Sequence, residues 1–171
     1  MSSRPRAKSS GSATGNMLRD SPLGLVPETI DHLVELGKAV WETGPLRPAE
    51  IEVARLRNAV RVNCVFCRNA RYDIAQADGL TEPRVATVQS ASPGEQLGRR
   101  DQLIVAVVDQ YYDEPGMHNP ALHNALRATF SEPELAHLSL CLAYFSMFSR
   151  CAVALGGMPD ELPVMQVALP R

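Results

Sequence analysis

Cys64 and Cys67 are the residues of this chain best suited to chemistry. They stand three apart in the run EIEVARLRNAVRVNCVFCRNARYDIAQADG, residues 50–79. On a helix that spacing sets both sulfurs on adjacent turns of one face. Their α-carbons would lie about 5 Å apart, within the span a disulfide tolerates, so dithiol and disulfide can interconvert with little backbone motion. Asn63 is read as an N-cap, which puts Cys64 at the first helical position, where free amide N–H groups and the helix dipole favour a thiolate. Arg61, Arg68 and Arg71 add positive charge, and Glu52 and Tyr72 are the neighbouring acid–base side chains. A thiolate there would attack an electrophilic oxygen or sulfur, and the second thiol would resolve the product to a disulfide.

Other uses of the pair are weaker. Half a zinc site needs two further ligands, and Cys141 and Cys151 lie ten residues apart on one expected helix, about 15 Å along its axis. No metal and no cofactor are therefore expected, and Cys141 and Cys151 read as core. Inert packing of Cys64 and Cys67 is the alternative, because cysteine is among the most buried residue types. His32, His118, His123 and His137 lack ligand spacing, and His137 reads as a surface residue. Arg150 reads as snorkelling or as a subunit contact, and Phe66 and Phe145 as core.

The elements that must position the pair are helical. Pro27 opens a helix with the apolar face Ile30, Leu33, Val34, Val40 and Trp41, which ends before Gly44-Pro45. Pro48 opens a second, Asn63 caps a third that ends at Gly79, and Thr81 caps a short fourth. Ser92-Pro93-Gly94-Glu95 fits a capping box ahead of a fifth, which Pro115-Gly116 stops. Asn119-Pro120 starts a sixth, and Ser131 with Glu134 boxes the start of a long last helix that runs to Gly156-Gly157. The proline-rich remainder is expected to be extended. Without period-two alternation the fold class is all-α, a helical bundle, which excludes a thioredoxin βαβ setting for the cysteines. Residues 1–20 are expected to form a disordered basic arm and 21–171 a single helical domain.

Composition agrees. The 171 residues are 45% hydrophobic and 21% charged, as in ordinary folded proteins. Net charge is −2, and residues 1–22 hold four of the 17 basic side chains, so the body is acidic. An acidic body argues against nucleic-acid partners. The apolar run 138–157 is long enough to span a bilayer, but Ser139, Ser146, Ser149 and Arg150 interrupt it, so a buried helix and no membrane association are expected. With no apolar leader segment and cysteines expected as thiols, the expected location is cytoplasmic.

The spacing of Glu52, Cys64 and Cys67, ahead of a helix ending in Gly79-Leu80-Thr81, resembles the core of the alkyl hydroperoxidase D / carboxymuconolactone decarboxylase family. The stretch ALRATFSEPELAHLSLCLAYFSMFSRCAVALGG resembles that family's closing helix pair. Together the likeness covers roughly residues 46–157. It implies an all-α fold assembled as a homo-oligomer, a trimer or hexamer, with antioxidant, peroxiredoxin-type peroxidase activity at the cysteine pair. Cys67 would meet the peroxide, Cys64 would resolve it, Glu52 would belong to a proton relay, and a dithiol protein or lipoyl-type donor would restore the thiols.

The family motif places a histidine four residues after the second cysteine, where this chain has Arg71. Arginine stays protonated and cannot serve as a base. Arg71 is therefore expected to ion-pair with Glu52, either holding a thiolate and the peroxide oxygens or acting structurally. In one straight helix Glu52 and Cys64 would lie about 18 Å apart, so a catalytic Glu52 requires a chain break near Val62-Asn63 or a neighbouring subunit. Two rival functions stay open: a non-redox lyase of the decarboxylase branch, and a non-catalytic helical oligomer whose thiols sense oxidation or only pack.

Overall fold

The computed structural model describes residues 4–94 and 96–169, which form eight α-helices and two three-residue strands. Proline sits in the first turn of α1 (Pro27–Glu42), α2 (Pro48–Val62), α5 (Glu82–Gln89), α7 (Pro120–Thr129) and α8 (Glu132–Leu155), where its missing N–H has no intrahelical partner to lose. Thr81, Asn119 and Ser131 cap α5, α7 and α8 through their side chains, and Ser131 with Glu134 completes a capping box. The fifth expected helix starts later than its signal. α6 (Arg99–Asp113) has Gly98 as its N-cap, and Glu95 of the expected box lies outside the described residues.

The expected third helix breaks up. Asn63 adopts the left-handed conformation, φ 57° and ψ 41°, and terminates α2, a conformation Asn tolerates better than most residues. Asn63 is thus a C-cap, and Cys64 takes the N-cap of the short helix α3 (Val65–Asn69). Strand β1 (Ala70–Tyr72) and helix α4 (Asp73–Ala77) follow. The extended tail supplies strand β2 (Met165–Val167), which pairs in parallel with β1, Ala70 opposite Met165 and Tyr72 opposite Val167.

Helix α2 is the centre of the bundle, packed against α3, α4, α5, α6 and α8. Every residue from Ala49 to Ala59 is buried, as expected for a helix surrounded by others. Its buried charges are each paired: Glu50 with Arg100, Glu52 with Arg55, and Arg57 with Asp109. Burial without such partners would be costly. α8 is long and apolar enough to cross a membrane by length and composition, and here it lies along α2 with Leu138, Cys141, Leu142 and Phe145 in the core.

Residues 4–20 make polar contacts among themselves and with the body. The Asp20 carboxylate accepts from the Thr14 N–H at 2.9 Å, the Thr14 hydroxyl at 2.8 Å and the Gly15 N–H at 2.9 Å. Arg19 pairs with Asp31 at 2.8 Å, and the Arg6 N–H donates to the Leu155 carbonyl at 2.7 Å. His137 is buried, not exposed. Its Nδ1 accepts the Leu46 N–H at 3.3 Å, so its proton is on Nε2, 3.0 Å from the Val40 carbonyl, and the ring stitches the α1–α2 loop to α8.

Candidate active site

The turn at Asn63 folds the cysteine segment back along α2 and so satisfies the break that the Glu52–Cys64 separation demands. Cys64 and Cys67 form a disulfide with α-carbons 5.2 Å apart. The two sulfurs differ in access. Cys64 has no exposed surface, and its Sγ accepts the Cys67 N–H at 3.2 Å. Cys67 is half-buried and lines a cavity of about 290 Å³ walled by Phe66, Tyr72, Tyr144, Phe145 and Phe148, with Met17 and Leu18 of the N-terminal segment also against it. Phe145 therefore faces the site as well as the core, whereas Phe66, expected as core, is half-buried and lines the cavity outside the core cluster. A helix N-terminus would favour Cys64 as the more reactive thiol, but α3 is only five residues long and Cys64 is sealed, so access favours Cys67.

Glu52 is fully buried and does not pair with Arg71. Its partner is Arg55, three residues on, through bonds of 2.6 and 2.7 Å. The same guanidinium donates to the Cys67 carbonyl and the Ala70 carbonyl, both at 2.7 Å. Burial disfavours the Arg55 cation, but the charge and hydrogen bonds of Glu52 outweigh it and hold the guanidinium above its ordinary value. Tyr72 lies beneath, its ring centroid 5.2 Å from Arg55 Cζ and 4.6 Å from the Trp41 ring. Burial pushes the Tyr72 hydroxyl up, with the nearby Arg55 charge opposing.

Arg71 is also buried and points elsewhere: to Glu82 at 2.9 and 3.2 Å, and to the Arg68 and Ala70 carbonyls at 2.7 and 3.0 Å. The expected Glu52–Arg71 pair is thus replaced by Glu52–Arg55 and Arg71–Glu82, because β1 turns the Arg71 side chain toward α5. Arg61 pairs with Asp113 and lies 3.8 Å from Asp109. Of the remaining cysteines, Cys141 is sealed in the core, where burial pushes its thiol up to about 12, so it stays protonated and inert. Among the described residues no three His, Cys, Asp or Glu side chains converge as metal ligands.

Two residues at the site escape sequence reasoning. Arg55 carried a signal, its three-residue spacing from Glu52 on one helix. Ser149, whose hydroxyl lies 3.5 Å from Cys67 Sγ, carried none beyond its interruption of an apolar run.

The chain is thus a helical bundle in which Cys64 caps a short helix that carries Cys67 and packs on the central helix α2. No family model matches the chain, and no curated protein matches it. Among solved structures, a chain from Agrobacterium tumefaciens is similar, with a TM-score of 0.65 and 21% identity over 77% of this chain and 90% of that chain. That protein is described as one of unknown function and a candidate AhpD antioxidant-defence protein. At this identity the likeness establishes the fold.

Proposed function

We propose that this chain is a thiol-dependent peroxidase and disulfide reductase of antioxidant defence. The observation that carries the reading is the asymmetry of the pair: Cys67 faces a cavity while Cys64, its disulfide partner, is sealed behind it. In the first step the Cys67 thiolate attacks the terminal oxygen of a hydroperoxide. The S–O bond forms as the O–O bond breaks, and the leaving oxygen takes a proton to give an alcohol or water. The Cys64 thiol then attacks the sulfenic sulfur, the S–S bond closes, and water leaves. A dithiol reductant, a protein or lipoyl-type donor, attacks the accessible Cys67 sulfur. Cys64 departs as a thiolate that accepts the Cys67 N–H, and the reductant's second thiol releases Cys67. The aromatic walls of the cavity support a hydroperoxide with an apolar substituent. In this reading Glu52 and Arg71 hold the cysteine segment in place and move no proton.

The cycle needs a reducing compartment, the cytoplasm. A homo-oligomer also belongs to the proposal, supported by the exposed Leu36 and Leu140 beside a hollow lined by Leu33, Ala39, Ala143 and Met147; a monomer mass in solution would remove that part.

Peroxide consumption by the reduced protein with a dithiol tests the core of the reading. Cys67→Ser should abolish turnover. Cys64→Ser should consume one equivalent and leave a sulfenic acid that dimedone traps. Turnover that survives Cys67→Ser ends the reading, and conversion of a small carboxylated lactone by the doubly substituted protein would favour a lyase instead.

A further inference from the structure

We infer that Ser149 donates its hydroxyl hydrogen to the Cys67 thiolate, and that a one-way chain of hydrogen bonds running from Arg150 aims that hydrogen. The inference rests on the reading of Cys67 as the attacking thiol, and it makes Ser149 a catalytic residue with Asn58 and Tyr112 as positioning residues.

The chain can be followed atom by atom. Ser149 Oγ lies 3.5 Å from Cys67 Sγ, and the serine is 3% exposed. Asn58, with no exposed surface, donates from Nδ2 to Ser149 Oγ at 2.9 Å. That bond occupies the serine oxygen as an acceptor and leaves its own hydrogen for the sulfur. The Asn58 carbonyl oxygen accepts the Tyr112 hydroxyl. Tyr112 has one hydroxyl hydrogen, and a carbonyl oxygen has none to offer, so that hydrogen belongs to Asn58. At the 3.0 Å contact between Tyr112 and Ser146, Ser146 must then donate. Ser146 in turn accepts from Arg150 Nε at 3.3 Å, and a guanidinium can only donate. Arg150 also lies over the Tyr112 ring, 5.4 Å from its centroid. A group that cannot accept stands at one end, and at the other the Cys67 sulfur, which can only accept both in the disulfide of this structure and as the thiolate of the reduced protein. The direction of every link between them is set.

An amide in the middle does not pass protons, so the chain orients and does not conduct. Its product is a charge-assisted hydrogen bond to sulfur, which favours the ionised thiol. Among the described residues, the other charged or titratable groups about Cys67 are Arg55 from α2, neutralised by Glu52, Tyr72 from β1, Tyr144 from α8, and Cys64 and Arg68 of its own segment. A change at Ser149 leaves all of them in place. The arrangement also accounts for three polar residues inside the apolar run of α8: Ser146, Ser149 and Arg150.

The test is the pH dependence of Cys67 alkylation in the reduced Cys64→Ser protein, followed on the Cys67 peptide by mass spectrometry. Ser149→Ala should raise the midpoint by about one pH unit, which is about tenfold less thiolate at a pH below it, and Ser149→Thr should restore most of the loss. Asn58→Asp, nearly isosteric, turns a donor into an acceptor; it should draw the serine hydrogen away and raise the midpoint at least as far. An unchanged midpoint in Ser149→Ala with native helical circular dichroism overturns the inference. Should that variant fail to fold, Tyr112→Phe decides: a raised midpoint supports the chain, and an unchanged one overturns it. Alkylation does not need turnover, so a shifted midpoint in a protein that consumes no peroxide would remove the proposed function and leave this inference standing.

Discussion

Arg55 binds the buried carboxylate of Glu52 through two hydrogen bonds and, with the same guanidinium, holds the carbonyls of Cys67 and Ala70. The acidic residue thus reaches the cysteine segment through an arginine and the backbone. Breaking either half leaves a buried charge without its partner, which costs about 3–5 kcal/mol. Glu52→Gln and Arg55→Met should each lower stability by that order in urea unfolding. The double substitution should be milder than the sum of the two, because it leaves no lone charge.

Arg71→His probes the position at which the resemblance calls for a base. The Arg71 guanidinium is committed to Glu82 and to the Arg68 and Ala70 carbonyls, and histidine is too short to keep all three. Glu82 is largely exposed, so its ion pair counts for little; the loss of the carbonyl bonds should cost about 1–2 kcal/mol. The expected outcome is a lower melting temperature with no gain in peroxide consumption. A large gain in rate would show that the histidine relay can be rebuilt on this backbone and would weaken the assignment of Arg71 as a positioning residue.

Gly44 has no room for a side chain. A β-carbon there would overlap the His137 ring and push it off the Val40 carbonyl and the Leu46 N–H. Gly44→Ala should therefore lose about 1–3 kcal/mol, read as a lower urea midpoint. A neutral result would mean that the α1–α2 loop moves aside freely.

Asp78 caps α2 from 29 residues away, its Oδ2 accepting the Ala49 N–H at 3.0 Å and its Oδ1 holding Arg47 at 2.7 Å. Burial pushes the Asp78 carboxyl up, but the Arg47 and Ala49 hydrogen bonds outweigh it and set the group below its ordinary 3.8. A lowered carboxyl stabilises the fold above that ordinary value, and the contribution is lost as pH falls through the lowered one. Asp78→Asn should cost about 1 kcal/mol at neutral pH. It should also flatten the fall in stability on acidification below the ordinary carboxyl value, as measured by urea midpoints across that range.

What the sequence determined by itself was local. The starts of α1, α2, α5, α7 and α8 are written in proline, those of α5, α7 and α8 also in capping side chains whose hydrogen bonds close within one turn, and the Cys64–Cys67 distance follows from three residues of chain. The all-α class follows in the same way. Tertiary structure decided partners and access. Arg55 and not Arg71 meets Glu52, because the left-handed Asn63 and the β1–β2 pairing redirect the chain after α2. Ser149 meets Cys67 across 82 residues, and one sulfur of the pair is sealed while the other faces a cavity. A backbone turn depends on its immediate neighbours, whereas the surroundings of a buried side chain depend on how distant helices pack around it.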